Sequence, residues 1–278
     1  MLTSFLFLAL AAAPELTPLT AVAHGTVGVA ALHLETGHGF GAHEGERFPM
    51  QSVFKLPVAI EVLARVDAGK LRLGDPIAMV EADRRPGAGD TLGGRIPGPV
   101  SLGDLLDAML VASDNAACDK LLALVGGPAA VTARMHALGL DAIVVDRTEA
   151  ELARGQAGDT ATPASLAALL GKVARGELGL SAESQTLLRA TLGRVETGAH
   201  RLKAGLPPGA TLEHKTGSSR TLHGVTEATN DVGVITLKDG THLVLVVLVR
   251  DARADEATRE GVIAGVAREA VAWAERDR

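Results

Sequence analysis

The stretch DVGVITLKDGTHLVLVVLVRD (231–251) constrains the fold more than any other part of this chain. Two runs rich in Val, Ile and Leu, 231–239 and 241–251, flank a Lys238-Asp239-Gly240 turn, the pattern of a β-hairpin. A further strand is expected at ATLEHKTGSS (210–219). Near the other end, residues 25–48 read as two short strands joined by a Glu35-Thr36-Gly37 turn. Between these regions the period changes. From Ser52 to about Ala68, Val53, Leu56, Ile60 and Leu63 recur at helical spacing. Helical patterns also cover 101–112, 115–125, 128–139, 163–175 and 181–193, with Gly127-Pro128 and Thr162-Pro163 as starts. A closing amphipathic helix is expected at 254–276. Residues 81–101 read as a Gly/Pro-rich loop without the G-K-[ST] ending of a phosphate-binding loop. Strands at both ends of a helical middle predict one α/β (α+β) fold whose sheet is completed by both termini.

Composition narrows the function. The 278 residues are 47% hydrophobic, enough for one large domain or two that share a core. Aromatic content is 2% and tyrosine is absent, so the core is Ala, Leu and Val, without stacking platforms for single-stranded nucleic acid. A net charge of -6 gives no basic surface for a phosphate backbone. The single Cys118 cannot form an intrachain disulfide and is expected to be a small buried residue. The first residues, MLTSFLFLALAAAPELTPL, combine an apolar run with Ala11-Ala12-Ala13, so residues 1–13 are expected to be a secretory signal peptide, and the protein exported, periplasmic or secreted. No later stretch reaches the ~20 apolar residues of a membrane span.

Three short motifs could carry chemistry. Ser52-Val53-Phe54-Lys55 places a hydroxyl and an ammonium on one helix face, as a nucleophile beside its base or simply as solvated surface. Ser113-Asp114-Asn115, at the joint between two helices, is either a helix cap or a proton relay with an amide that grips a carbonyl. Lys215-Thr216-Gly217-Ser218 lies on an expected strand, where an interior glycine suggests close approach to the backbone. An N–H of that strand, paired with the Ser52 N–H, could form an oxyanion hole. Each motif alone is weak.

Together and in this order, Ser-x-x-Lys, Ser-Asp-Asn and Lys-Thr-Gly form the motif set of class A β-lactamases and penicillin-binding proteins. The chain resembles class A from about residue 25 to its end. FPMQSVFKLPVA, SDNAACD, GGPAAV and ATNDVGVITLKDG are most like the extended-spectrum subgroup. The resemblance implies a β-lactamase/transpeptidase-like fold. Residues 14–50 and 194–278 would form an α/β sheet domain and 51–193 an all-α domain, with the active site between them. It implies Ser52, Lys55, Ser113, Glu149 and Lys215 as catalytic residues, and Asn115, Thr216, Gly217, Ser218 and Arg201 as substrate-binding residues. VDRTEAELARGQAGDTATP (145–163) resembles the lactamase Ω-loop. There Glu149 would activate the hydrolytic water and Arg147 would pair with Asp159 to pin the loop ends. Two departures concern deacylation. Ala153 stands where the family commonly has an asparagine that helps hold the water, and the Glu149–Asp159 loop is shorter than usual.

The expected activity is β-lactam hydrolysis through an acyl-serine intermediate, on small-molecule β-lactams, by a monomer with no metal or organic cofactor. The nine histidines show no H-x-H or H-E-x-x-H spacing. The alternatives are a D-alanyl-D-alanine peptidase or transpeptidase, and a sensor that acylates and stops.

Overall fold

The computed structural model describes residues 12–85, 89–155 and 158–277. Residues 1–11, which hold the apolar run of the expected signal peptide, lie outside the described residues. In chain order the described residues begin with α1 (Thr17–Thr20), β1 (Thr26–His33), β2 (Gly39–Ala42), β3 (Phe48–Pro49) and α2 (Lys55–Asp67). Next come β4 (Pro76–Met79), β5 (Gly98–Ser101), α3 (Leu102–Val111), α4 (Asn115–Leu124), α5 (Pro128–Ala137) and α6 (Glu149–Ala153). β6 (Thr160–Ala161), α7 (Pro163–Arg175) and α8 (Ala182–Leu192) follow. The chain closes with β7 (Thr211–Ser218), β8 (Thr221–Leu222), β9 (Val225–Thr236), β10 (His242–Ala252) and α9 (Glu256–Arg276).

The main sheet runs in the order β2-β1-β10-β9-β7, antiparallel throughout, with β8 added to β9. Both ends of the chain therefore complete one sheet, as the strand pattern predicts. The central β10 shows why its sequence is continuously apolar, because it is buried on both faces. Val244, Val246 and Leu248 pack with the helical core, whereas Leu243, Leu245, Val247 and Val249 pack beneath α9. Each such side chain contributes about 1.5–3 kcal/mol relative to exposure. On the α9 face, Trp273 meets the Phe40 ring edge-on, with centroids 5.0 Å apart.

On the other face, α2, α3, α4, α5, α7 and α8 share one hydrophobic core with the sheet. Gly28 of β1 belongs to this contact, because a Cβ there would lie 2.6 Å from the Phe48 ring. Ser101, Asp114, Thr162, Ser181 and Asp255 cap α3, α4, α7, α8 and α9 by accepting N–H bonds from the first turn. Pro128 and Pro163 open α5 and α7, as expected. Cys118 is fully buried.

Beyond the short α1, β3, α6, β6 and β8, which the sequence reading did not contain, the structure departs from it in three places. Residues 81–101 are not all loop, because Gly98–Ser101 pair with Pro76–Met79. Proline and glycine in so short a strand conceal its pattern. β9 begins at Val225 and ends at Thr236, rather than spanning 231–239, because the polar VTEATN segment still supplies ladder hydrogen bonds. Finally, Gln51–Phe54 form a 3-10 turn before α2 begins at Lys55.

Candidate active site

Ser52 is half-buried on that 3-10 turn and is anchored from several sides. Gln51 before it adopts φ 48°, a left-handed conformation that costs a non-glycine residue about 1–3 kcal/mol unless the surroundings enforce it. Here they do. The Asn230 amide donates to the Pro49 carbonyl at 2.8 Å and to the Met50 carbonyl at 3.1 Å. The Met50 N–H donates to the Asp159 carbonyl at 2.8 Å. Gly217 of β7 closes the other side, where a Cβ would lie 2.4 Å from the Met50 carbonyl oxygen and 3.2 Å from the Ser52 nitrogen. Only glycine lets the strand approach the Ser52 turn this closely.

Lys55, fully buried at the start of α2, organises the centre. Its Nζ donates to the Ser113 carbonyl at 2.6 Å, to Asn115 Oδ1 at 2.6 Å and to Ser113 Oγ at 3.2 Å. It also lies 2.9 Å from Glu149 Oε1. Ser113 reaches this position because its backbone is left-handed, φ 64°, at the break between α3 and α4. The buried Asp114 holds that break. One carboxylate oxygen accepts from the Ala117 N–H at 2.9 Å, and the other accepts from the Thr91 and Leu92 N–H groups and the Thr91 hydroxyl.

From the sheet side, Lys215 Nζ donates to the same Ser113 Oγ at 3.1 Å and to the Thr216 carbonyl at 3.2 Å. Burial, and then the nearby charge of Lys55, push Lys215 down to about 7. Asp231 and Glu149 oppose that shift. With both lysines donating to it, Ser113 Oγ keeps its own proton free to give away.

Glu149 is the first residue of α6 and is nine-tenths buried. Asp119 of α4 fixes it, accepting the Glu149 N–H at 2.7 Å and the Ala150 N–H at 3.2 Å while Arg85 donates to that carboxylate at 2.7 Å. Thr148 and Glu151 complete a capping box around the same turn.

Asp159 does pin the two ends of the loop, but not through the Arg147 guanidinium. Its Oδ1 accepts the backbone N–H groups of Asp146 at 2.7 Å and Arg147 at 2.9 Å, while its own N–H donates to Asp146 Oδ1 at 2.9 Å. The guanidinium turns instead to the Asp146 carbonyl, 2.8 Å away. Main-chain donors are fixed by the turn and cost no side-chain ordering, so they replace the expected ion pair. Burial lifts the Asp159 carboxyl to about 7 despite these donors. Its other oxygen, Oδ2, is buried without a hydrogen-bond partner.

The edge strand completes the site. Thr216 is held by a 2.6 Å hydroxyl contact with Thr197, and Ser218 is exposed. The buried Arg201 guanidinium donates to Ser218 Oγ at 2.8 Å, the Asn230 carbonyl at 2.9 Å and Glu260 at 2.9 Å. Two cations, Lys215 and Arg201, thus flank one strand edge. The structure brings together Ser52, Lys55, Ser113, Asn115, Glu149, Lys215, Thr216, Gly217, Ser218 and Arg201. Sequence reasoning missed Asp119, Asn230 and Asp231. The last two are fully buried polar neighbours where the polar half of β9 meets its apolar half. Among the described residues, no group of three or more His, Cys, Asp or Glu could hold a metal ion. No single helix among them is long and apolar enough to cross a membrane.

This arrangement has relatives. The profile of the "Beta-lactamase enzyme family" matches residues 11–274. The extended-spectrum β-lactamase PER-1 of Pseudomonas aeruginosa is 38% identical over 230 residues, 81% of this chain and 75% of that protein. β-Lactamase L2 of Stenotrophomonas maltophilia is 36% identical over 231 residues, 82% of this chain and 74% of that protein. A β-lactamase structure from Chitinophaga pinensis superposes with a TM-score of 0.88 at 38% identity, covering 91% of this chain and 96% of the other. A reconstructed class A β-lactamase, the last common ancestor of Gram-negative bacteria, gives a TM-score of 0.85 at 36% identity, covering 92% of this chain and 97% of the other. With its motifs assembled on this fold, the chain belongs to the β-lactamase enzyme family, in the class A branch.

Proposed function

We propose that this protein hydrolyses β-lactam antibiotics in two covalent steps. The observation that carries the reading is Glu149, nine-tenths buried and held 2.9 Å from the Nζ of Lys55, the lysine three residues after Ser52. An acyl-serine site that must release its product needs such a water-activating base. In acylation, Ser52 Oγ attacks the lactam carbonyl and its proton passes to Lys55, which has first handed a proton to Glu149, or directly to Glu149 through a water. The N–H groups of Ser52 and Ser218 stabilise the developing oxyanion. As the C–N bond breaks, Ser113 O–H protonates the departing nitrogen and is reprotonated from Lys215 or Lys55. The Asn115 amide N–H₂ holds the substrate's side-chain carbonyl, because its oxygen is committed to Lys55. Lys215, Thr216 and Ser218, backed by Arg201, receive the substrate carboxylate. In deacylation, Glu149 takes a proton from water, the hydroxide attacks the ester carbonyl, and Ser52 leaves with its proton restored.

The two-domain division at 14–50 with 194–278, and 51–193, follows the same reading, because site residues come from both segments. The helices and sheet nevertheless share one core. Residues 1–13 are read as an export signal, and the mature protein as a monomer. Stopped-flow mixing with a chromogenic cephalosporin tests the reaction. Many turnovers per enzyme are expected, and a single stoichiometric burst would replace hydrolase with acylated sensor.

A further inference from the structure

Behind the substrate-binding edge lies a second polar pair, absent from the steps above. His214 of β7 alternates with Lys215, so its imidazole lies on the opposite face of the strand. It is buried, and its Nδ1 is 2.8 Å from Asp231 Oδ1. Asp231 is fully buried on β9, directly across from Thr216. Its second oxygen, Oδ2, accepts the Leu202 N–H at 3.2 Å. Leu202 immediately follows Arg201, whose guanidinium reaches Ser218 and the Asn230 carbonyl. A buried carboxylate is costly unless paired, and each partner of this one leads to the substrate edge.

We propose that His214 and Asp231 form a positioning pair for both cations that receive the substrate carboxylate. Asp231 holds the Arg201 segment against β9 through the Leu202 N–H and sets a negative charge beside Lys215 in the sheet. His214 fixes the orientation of that carboxylate. The groups around Lys215 make the electrostatic part explicit. Lys55 opposes its charge from α2, while Glu149 from α6 and Asp231 from β9 support it; the buried Cys118 thiol of α4, its pKa raised by burial, stays neutral. Asp231 is the one sheet-side charge among them. On its far side, His214 lines a cavity of about 610 Å³ together with Arg189, Lys203, Leu206, Leu212 and Glu213. That space is large enough to admit a free imidazole.

The proposal rests on the carboxylate-binding role given to Lys215 and Arg201, and its test separates the two readings. Asp231→Asn and His214→Ala are compared with the unaltered enzyme on a cephalosporin and on its carboxylate methyl ester. Asp231→Asn is expected to raise KM for the acid about tenfold, with little change for the ester. Loss of the negative charge disfavours the Lys215 ammonium, so the alkaline limb of kcat/KM moves to lower pH. His214→Ala is expected to raise KM for the acid less, and added imidazole should lower it again. If the variants fold with unchanged KM for the acid and an unmoved alkaline limb, the pair has no positioning role. Equal losses on acid and ester would overturn it too. Should Asp231→Asn fail to fold, His214→Ala decides alone, since an unchanged KM, or a raised one that imidazole does not lower, rejects the proposal. A Lys215→Ala control that keeps its KM and alkaline limb would instead remove the underlying reading of Lys215.

Discussion

Lys55 Nζ and Glu149 Oε1 stand 2.9 Å apart, with the lysine side chain fully enclosed and the glutamate about nine-tenths enclosed. The ammonium on α2 and the carboxylate on α6 therefore form one buried ion pair, although neither their elements nor their sequence positions are adjacent. In the proposed scheme either group takes the Ser52 proton during acylation. In this scheme only Glu149 activates the deacylating water.

Replacing Glu149 by Ala should therefore separate the two steps. Acylation persists through Lys55 while deacylation falls about 10²–10⁴-fold, the usual worth of a positioned general base. Intact-mass spectrometry after mixing with a cephalosporin should show a persistent adduct on Ser52. Turnover equal to that of the unaltered enzyme would take Glu149 out of the mechanism.

Asp119 should matter almost as much without touching substrate. Asp119→Ala leaves the Glu149 and Ala150 N–H groups without their acceptor, at a cost of about 1–3 kcal/mol in local stability. The carboxylate of Glu149 then loses its fixed approach, so kcat should fall while the acylation burst survives. Asp119→Asn retains one acceptor oxygen and should lie between the two. Burst amplitude and steady-state rate, measured together, check the order.

Asp159 makes a pH prediction with a definite sign. Its folded-state carboxyl titrates at about 7, above the ordinary value of 3.8. The folded protein therefore holds this proton more tightly than the unfolded chain. That contribution is fully present below the unfolded value and is lost as pH rises toward 7. Asp159→Asn keeps an oxygen for the two backbone N–H groups and cannot ionise. Relative to the unaltered protein it should gain about 2–4 kcal/mol at pH 8, with the gain shrinking toward pH 4. Thermal melts across this range would refute the idea if the difference in Tm did not change with pH.

At Gly217, an alanine methyl would overlap the Met50 carbonyl oxygen and press on the Ser52 nitrogen. Gly217→Ala should therefore push β7 from the nucleophile's turn and cost about 1–3 kcal/mol of stability. It should also lower the acylation rate at least about tenfold, because a displaced N–H donor weakens the oxyanion hole. Acylation kinetics by stopped flow, alongside a denaturant melt, would show whether both losses occur.

Local physics explains what was legible without coordinates. The Ser52 to Lys55 spacing is a helical turn, Pro128 and Pro163 mark helix starts, and the Lys238-Asp239-Gly240 turn sets the last hairpin; all depend on residues close in the chain. Even there, the 3-10 geometry of Gln51–Phe54 escaped, because Asn230 and Asp159 impose it from distant elements. The motif set named the candidate reacting groups but not what holds them. Ser113 and Lys215 meet across 102 residues, Met50 and Asn230 across 180, and Asp119 and Glu149 across 30. Such contacts depend on how α2, α4, α6 and the sheet pack around a shared core, not on any local preference. The same holds for Arg147: the Ω-loop resemblance implies an ion pair, but folding places backbone donors against Asp159 instead. Spacing, turn residues and motifs marked most of the elements and the candidate groups they carry. Only tertiary packing decided which buried charges face one another, because burial strengthens an interaction only after distant segments have excluded water from it.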